Sequence, residues 1–430
     1  MLGAVLALAL VALGAGCEGL TLGASPELPL WVHHPGGALQ VAFRRELTAR
    51  SRRVGEAYER GRPEVDPSHR RVFVGSSDHG LYALRAADGA VLWRFETAGA
   101  VQSEPLYDPG EDAVYFGSND GALYRLRASD GALGWRFATN AEVTRRPVLH
   151  RVQAGPRAGR RVLLATNAND TLLCIEPASG EMLWFRHRTP AFGMEISGYA
   201  GPAVLGDTVF AAFSDGAVMA YGAGDGSERW RAPVDLTGEA EQARAGEELR
   251  YLDVDTTPVV ATLGAGDLVF VASYEGGVFA LDAGTGTRVW VSDQATGVTE
   301  LVLWEQPAPP APREPRGAAG APPARARRVL VASSGLTGLW AFDPEDGSEL
   351  WRRDVPAGGV SAAVPWAGAL LVGSTRYGAF LLSPLDGGMI DGLHSGGSFA
   401  ATPAAHGTRA FVLSSEGVLF GLHLQPPGRG

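Results

Sequence analysis

The chain contains no lysine and only two cysteines, Cys17 and Cys174. Two cysteines cannot form a disulfide framework, a Cys-rich zinc site or a Cys-ligated iron–sulfur cluster. Because lysine is absent, all 37 basic residues are arginine, and the net charge is −10. An acidic chain without a dense basic block is poorly suited to nucleic-acid binding. We therefore expect neither a disulfide-stabilised scaffold nor a nucleic-acid partner.

The first 16 residues, MLGAVLALALVALGAG, contain no charged side chain. This apolar run is shorter than the ~20 residues that span a bilayer, but it suits a signal peptide. Its small residues lie directly before Cys17, which resembles a bacterial lipoprotein signal in which Cys17 becomes the lipidated first residue of the mature chain. The n-region lacks Arg, and Gly14 stands where that motif usually has Leu, so a plain secretory signal peptide is the alternative.

The rest of the chain is rich in residues that break helices. It contains 58 glycines and 28 prolines, a fifth of all residues, which argues against a mainly helical protein. It is also not a disordered composition, because 45% of the residues are hydrophobic and ten are tryptophan. These residues can form a large core, so we expect a folded protein made mainly of strands and turns.

An eleven-residue pattern recurs along the chain and sets the expected fold. Each copy combines an alternating strand, a turn with glycine, and a second strand that carries the tryptophan. The copies are ALRAADGAVLW (83–93), RLRASDGALGW (125–135), CIEPASGEMLW (174–184), AYGAGDGSERW (220–230), ALDAGTGTRVW (280–290) and AFDPEDGSELW (341–351), and a seventh, LLSPLDGGMID (381–391), has lost its tryptophan. Further strands precede each copy, the first of them marked by Pro105, Pro147, Pro202, Pro258 or Pro403.

Four short antiparallel strands per ~50 residues is the pattern of a β-propeller blade. The segment Ala410–Leu424 supplies strands of an eighth blade, and we predict that ELPLWV near the mature N-terminus completes it, with Trp31 in the tryptophan place. The prediction is an all-β, eight-bladed propeller of four-stranded antiparallel blades, closed by an N-terminal strand. Tryptophans at the ends of the repeats would pack between blades: Trp31, Trp93, Trp135, Trp184, Trp230, Trp290 and Trp351. Cys174, which stands in an alanine place, should be a small core residue.

The predicted domain organisation follows from these patterns. A signal peptide (1–16) precedes a linker (17–27), one propeller (28–425) and a short tail (426–430). A disordered Pro/Ala/Arg-rich insertion at about 305–328 is expected between blades five and six. A second insertion, 41–71, is expected to be a solvated surface segment that is part helix, with contact to anionic lipid or a partner as the alternative.

No constellation of catalytic residues is evident. The candidates Glu195, Asp253, Asp255, His33, His34 and His187 are scattered over different blades, and the chain has no phosphate-binding loop, Gly-x-Ser-x-Gly elbow or His-Glu-x-x-His helix. Eight tryptophan-linked blades resemble pyrroloquinoline-quinone alcohol and glucose dehydrogenases, but the alcohol-oxidising members carry an adjacent Cys-Cys pair that is missing here. We predict a non-enzymatic protein without cofactor or metal.

The lipoprotein signal, the eight blades, the closing strand and the string DVDTTPVV (253–260) together resemble the BamB family. Its members are lipoprotein subunits of the outer-membrane β-barrel assembly machinery. The resemblance implies a lipid-anchored scaffold on the periplasmic face of the outer membrane, docked on a periplasmic POTRA domain of the barrel insertase BamA. The alternative is another exported lipoprotein of the same repeat, acting as an envelope scaffold or as a protein that binds quinone or calcium.

The resemblance also implies which residues bind the partner. Asp253 and Asp255 match the acidic residues of the family's DVDTTP stretch, and the loop GMEISGYAGP (193–202) matches a neighbouring contact loop. Met194 and Ile196 would be its apolar contacts. Ser197 stands where the family has an arginine, and serine cannot clamp a carboxylate bidentately. The alternative for the acidic pair is a structural cap at the entry of a strand.

Overall fold

The computed structural model describes residues 37–47, 59–66, 70–190, 200–232, 254, 256–264, 266–274, 276–306, 327–355, 358–394 and 397–425. Within these residues the strands form eight four-stranded antiparallel sheets, each with its strands in chain order except the last. First strands of most neighbouring blades contact one another, and the first strand of blade eight contacts that of blade one. The eight-bladed propeller predicted from the repeat is therefore confirmed.

The strands fall into blades as follows. Blade one comprises β2 (Glu64–Asp66), β3 (Arg71–Gly75), β4 (Gly80–Arg85) and β5 (Val91–Glu96); blade two β6 (Leu106–Asp108), β7 (Ala113–Ser118), β8 (Ala122–Arg127) and β9 (Leu133–Ala138); blade three β10 (Val148–Arg151), β11 (Arg161–Asn167), β12 (Thr171–Ile175) and β13 (Met182–His187); and blade four β14 (Ala203–Leu205), β15 (Thr208–Ala212), β16 (Val218–Gly222) and β17 (Glu228–Ala232).

The second half of the ring follows the same order. Blade five comprises β18 (Val259–Leu263), β19 (Gly266–Ser273), β20 (Gly277–Asp282) and β21 (Arg288–Ser292); blade six β22 (Val298–Glu305), β23 (Arg328–Ser334), β24 (Gly338–Phe342) and β25 (Glu349–Arg353); blade seven β26 (Val364–Trp366), β27 (Ala369–Ser374), β28 (Gly378–Leu382) and β29 (Met389–Leu393); and blade eight β30 (Ala404–His406), β31 (Arg409–Leu413), β32 (Val418–Leu424) and β1 (Leu39–Glu46).

The first strand of six blades begins one residue after a proline, at Glu64, Leu106, Val148, Ala203, Val259 and Ala404. Proline has no N–H to give to a sheet, so it suits a position just outside the ladder. The five prolines noted in the sequence thus mark where the chain enters blades two, three, four, five and eight, and Pro63 does the same for blade one.

An N-terminal strand closes the ring, but it is not the strand that we predicted. β1 pairs antiparallel with β32 and occupies the outermost place of blade eight. The predicted ELPLWV segment with Trp31 lies outside the described residues. Phe43 takes the tryptophan place instead: it faces Gly421 in the ladder and lies against Gly89 of blade one. A Cβ on Gly421 would come within 2.3 Å of the Phe43 ring, so the missing side chain makes room for it.

A turn glycine and a tryptophan connect each blade to the next. The glycines of the seven repeat hairpins all have φ between +64° and +76°, a backbone region that other residues rarely adopt. Each of six also lies against the tryptophan of the preceding blade; a Cβ on Gly347, for example, would lie 2.5 Å from the Trp290 ring. A bulge directly before the tryptophan bends each outer strand in these hairpins.

The six described repeat tryptophans also share one hydrogen bond. Each indole N–H donates to a backbone carbonyl in the hairpin of the next blade, at 2.8–3.2 Å, and the acceptors are Ala128, Pro177, Ala223, Ala283, Pro344 and Pro384. A buried indole needs such an acceptor. Packing and hydrogen bonding thus fix each blade against its neighbour.

The seventh repeat copy lacks its tryptophan because blade eight has no hairpin at that place. Asp391 stands opposite Leu381, in the tryptophan register, and only 1% of its surface is exposed. The next blade presents the start of β1 there instead of a carbonyl-bearing turn. Asp391 Oδ2 accepts a hydrogen bond of 2.6 Å from the backbone N–H of Leu39. The neighbouring blade offers a backbone N–H at this place, where the other blades offer a carbonyl. The residue that pairs with it is therefore an acceptor, the carboxylate of Asp391, and not the N–H of an indole.

The core consists of layers between blades. One layer joins Leu164, Cys174 and Trp184 of blade three with Val209 and Phe213 of blade four. Cys174 is fully buried, and burial raises the pKa of its thiol to about 12, which keeps the sulfur protonated and unreactive.

Both predicted insertions need correction at their edges. Residues 41–46 belong to strand β1, and β22 and β23 pair with each other from Val298 to Ser334. The Pro/Ala/Arg-rich insertion is therefore within blade six, not between blades five and six. Glu305 and Arg328, at the two ends of the predicted insertion, pair with each other, and the adjacent Trp304 pairs with Val329 and is 3% exposed. Residues 307–326 and 48–58 lie outside the described residues, as do the predicted signal peptide, linker and tail.

Among the described residues there is no helix with the length and apolar character needed to cross a bilayer.

Candidate docking face

Backbone hydrogen bonds join the loops on one face of the ring, which we call the connection face. It consists of the turns between second and third strands and the segments that link successive blades. Each linking segment donates to or accepts from a neighbouring turn, as in Val101 N–H to Ser76 O (3.0 Å) and Ser415 N–H to Ser398 O (2.7 Å). Loops held in this way form a defined surface, and binding residues of rigid scaffolds usually lie on such loops.

All five predicted partner-binding residues, Met194, Ile196, Ser197, Asp253 and Asp255, lie outside the described residues. The described ends of their two segments do meet on the connection face. The backbone N–H of Gly201 donates to Thr257 Oγ1 at 2.9 Å, which joins the link before blade four to the link before blade five. The two predicted contact segments therefore enter neighbouring blades side by side.

Two residues of the DVDTT stretch have structural roles. Val254 is 2% exposed, and its N–H donates to Phe213 O at 3.5 Å. Thr256 is fully buried; its hydroxyl donates to Ala272 O and accepts from Ala272 N–H, at 3.1 and 2.8 Å. Val254 and Thr256 therefore anchor the segment to blades four and five, leaving Asp253 and Asp255 as the candidates for binding.

A network of ion pairs lies at the starts of the first strands, around the axis of the ring. Its members come from blades one, two, three and six: Arg62, Glu64, Glu104, Arg145, Arg146 and Glu300. Arg146 Nη2 lies 2.6 Å from Glu64 Oε1, and Arg146 Nε lies 3.2 Å from Glu104 Oε1. Three arginines and three glutamates balance, so this part of the axis carries no net charge.

Glu300 connects the far sides of this network. It pairs with Arg62 of blade one and with Arg145 of blade three, the latter at 2.7 Å between Nη1 and Oε1. A bulge between Val298 and Glu300 interrupts β22 at this point, and bulges commonly redirect a side chain. Burial acts to raise the pKa of Glu300, but Arg62 and Arg145 outweigh it and lower the pKa to about 2. Glu300 is therefore ionised at neutral pH.

We did not predict this network, although the sequence contains a signal of it. Glu104, Arg146 and Arg62 each stand directly before a proline that immediately precedes a first strand. A charged residue at that place in several blades must lie near the axis, where the first strands converge.

Of the six catalytic candidates, the structure describes only His187. Glu195, Asp253, Asp255, His33 and His34 lie outside the described residues. His187 is at the end of β13, with its Nδ1 3.0 Å from Thr171 Oγ1. Across the described ranges there is no group of three His, Cys, Asp or Glu side chains that could hold a metal ion. The axial residues, which could face a ligand in the ring centre, are instead paired with one another.

Fold and face together define the chain as an eight-bladed propeller of the tryptophan-linked repeat type. A family model described as outer membrane protein assembly factor BamB matches residues 45–144, 109–306 and 299–424. The chain belongs to the BamB family.

Curated relatives carry the same description. BamB of Burkholderia pseudomallei is 23% identical over 270 residues, covering 62% of each chain. BamB of Legionella pneumophila is 22% identical over 234 residues, covering 54% of this chain and 52% of the relative. The chain thus matches between about half and just over three fifths of the length of these relatives.

Solved structures share the fold. BamB from Moraxella catarrhalis superposes with a TM-score of 0.66 at 18% identity, covering 90% of this chain and all of that one. A quinohemoprotein alcohol dehydrogenase from Comamonas testosteroni superposes with a TM-score of 0.59 at 13% identity, covering 91% and 78%. At these identities the likeness concerns the architecture alone, which assembly factors and enzymes have in common.

Proposed function

We propose that this chain is a non-enzymatic scaffold of the outer-membrane protein assembly machinery, which docks through its connection face on a periplasmic POTRA domain of the barrel insertase BamA. Membership of the BamB family supports the process. The hydrogen bond between Gly201 and Thr257 supports the site, because it brings the two predicted contact segments together on one rigid face.

The paired axial residues favour a scaffold over a cofactor-dependent enzyme. Arg62, Arg145 and Glu300 tie blades one, three and six together where a ligand on the ring axis would have to lie. Opening these buried pairs would leave charges uncompensated, at a cost of several kcal/mol. A ring held in this way keeps its loops in fixed positions, which lowers the ordering cost of binding a partner.

The docking site can be tested by reversing the acidic pair. Asp253→Arg combined with Asp255→Arg should abolish co-purification of the insertase from solubilised outer membranes. The matched control, Glu345→Arg with Glu349→Arg, makes the same change in charge at exposed positions of the blade-six hairpin. The control should co-purify normally. Normal recovery with the Asp253/Asp255 variant would refute this site.

We further propose that Cys17 is acylated and holds the ring at the periplasmic face of the outer membrane. Cys17→Ala should release the protein into the soluble periplasmic fraction, whereas Cys174→Ala should leave it with the membrane. Mass spectrometry of the mature N-terminus checks the modification directly. An unmodified Cys17 in membrane-bound protein would overturn this proposal.

A further inference from the structure

Leu336 is the most exposed large hydrophobic side chain in the described part of the chain. It is 60% exposed and lies on the turn between β23 and β24 of blade six, on the connection face. Nearly all the other exposed large hydrophobic residues are on the outer strands of the blades. An exposed apolar residue on a rigid loop of a candidate docking face suggests contact with a partner.

The other blades show that the turn does not require leucine. Leu336 stands two places after Ser334. The residue that matches it in the sequence of the other seven repeats is polar: Asp78, Asp120, Asn169, Asp215, Glu275, Arg376 and Glu416. Four of the turns share one geometry: the N–H of Leu336 donates to Ser334 Oγ at 3.0 Å, and those of Asp78, Asp120 and Arg376 donate to the matching serine hydroxyl at 3.2 Å. Only blade six has an apolar residue at this place.

Leucine also cannot form a hydrogen bond that the residue at this place forms in three other blades. Asp78, Asp120 and Asp215 each accept, through Oδ1, the N–H of the residue two places on, at 3.0–3.1 Å. A leucine cannot accept this bond and leaves its side chain in water. The turn therefore does not require leucine at this place, and a contact outside the chain can account for Leu336.

The residues around Leu336 include several glycines, so few side chains project from the surface beside it. Its side chain lies over Gly297, where a Cβ would come within 2.6 Å of Leu336 Cγ. Gly335 has open space around its missing side chain, and Gly359 lies beside it. A partner can therefore approach the backbone closely on both sides of the leucine.

Leu336 also lies on the same hydrogen-bonded face as Val254. Gly335 N–H donates to Gly297 O at 2.9 Å, and Gly297 N–H donates to Tyr274 O at 2.6 Å in the neighbouring blade. Blade five, which contains Tyr274, is the blade that Val254 precedes. The turn that carries Leu336 thus continues the proposed docking face by one blade.

We infer that Leu336 is an apolar anchor of this face, and that it inserts into an apolar pocket on the periplasmic domain that the face binds. The inference rests on the proposed function and extends the contact surface from the links around blades four and five to the turn of blade six. Binding energy at an interface is concentrated in a few side chains that fill pockets on the partner, so the loss of one such contact should be measurable.

The test compares two identical substitutions on opposite faces of the ring. Leu336→Glu places on the connection face a residue that blade eight already has there, Glu416. Leu385→Glu changes the 39%-exposed leucine of the blade-seven hairpin, on the opposite face, where blade six has Glu345. Binding of each full-length variant to purified periplasmic domains of the insertase is measured by titration, and circular dichroism during heating checks the fold.

We expect Leu336→Glu to weaken binding by roughly tenfold or more with unchanged thermal unfolding, and Leu385→Glu to bind like the wild type. Equal binding of Leu336→Glu and wild type would refute the anchor while leaving the proposed function intact. Equal weakening by both variants would also refute it, because the effect would then not depend on the face. No binding by the wild type would instead refute the proposed function.

Discussion

The ion pairs of Glu300 predict a large and pH-dependent loss of stability when its charge is removed. Its carboxylate, 12% exposed, lies between Arg62 and Arg145, so Glu300→Gln leaves two mostly buried guanidinium groups without their anion. The pKa falls from 4.5 to about 2, and each unit corresponds to ~1.4 kcal/mol. We therefore expect the free energy of unfolding to fall by about 3 kcal/mol at pH 7, in line with the ~3–5 kcal/mol for breaking buried pairs.

The pH dependence has a definite sign. The pKa of Glu300 is lower in the folded state than in the unfolded state, so its contribution is fully present above pH 4.5 and is lost as the pH falls toward 2. The difference between wild type and Glu300→Gln should thus shrink to less than half by about pH 3, which follows from the same linkage relation.

Urea unfolding followed by tryptophan fluorescence at pH 7 and pH 3 measures both effects. Glu305→Gln on the same strand is the matched control, because Glu305 pairs with Arg328 at 2.8 Å but is 54% exposed. An exposed pair contributes only ~0–1 kcal/mol. Equal losses in the two variants, or a loss at Glu300 that does not change with pH, would refute the role assigned to the axial network.

Three further predictions concern the core and the closure of the ring. Restoring the repeat residue with Asp391→Trp should destabilise the fold by about 2 kcal/mol or more, because the Leu39 N–H loses its acceptor and the indole finds no hairpin; a stabilised variant in a thermal melt would contradict this. Phe43→Ala should cost about 3 kcal/mol in urea unfolding, and a loss below ~1 kcal/mol would show that Phe43 does not replace tryptophan. Cys174 should react with a thiol reagent only after unfolding, and rapid labelling of the native protein would contradict its burial.

The repeat made most of the architecture predictable because its signals are local. A turn glycine needs positive φ whatever surrounds it, and a proline before a first strand is confined to the edge of the ladder. Gly347 and Pro258 could therefore be assigned from their immediate neighbours in the sequence. Such signals recur in each blade, so the number of blades followed as well.

Features that depend on distant residues were missed. Phe43 replaces a tryptophan only because Gly421, 378 residues later, leaves space for its ring. Asp391 is explained by the N–H of Leu39, and Glu300 by arginines in blades one and three. No local pattern separates these residues from ordinary surface charges or chance aromatics. The partner-binding residues were inferred from family resemblance and remain a prediction.

The closure of blade eight also determines when the ring can be completed. β1 is the first described strand of the chain and its partner β32 is the last, so the edge of β1 stays unpaired until β32 is available. An unpaired apolar strand promotes aggregation, and charged residues on the strand counteract this. β1 carries Arg44, Arg45 and Glu46 in its second half, and Arg45 Nε later donates to Gly89 O at 2.7 Å. The charge of Arg45 thus opposes aggregation of the unpaired strand, and its guanidinium later contacts blade one in the finished ring.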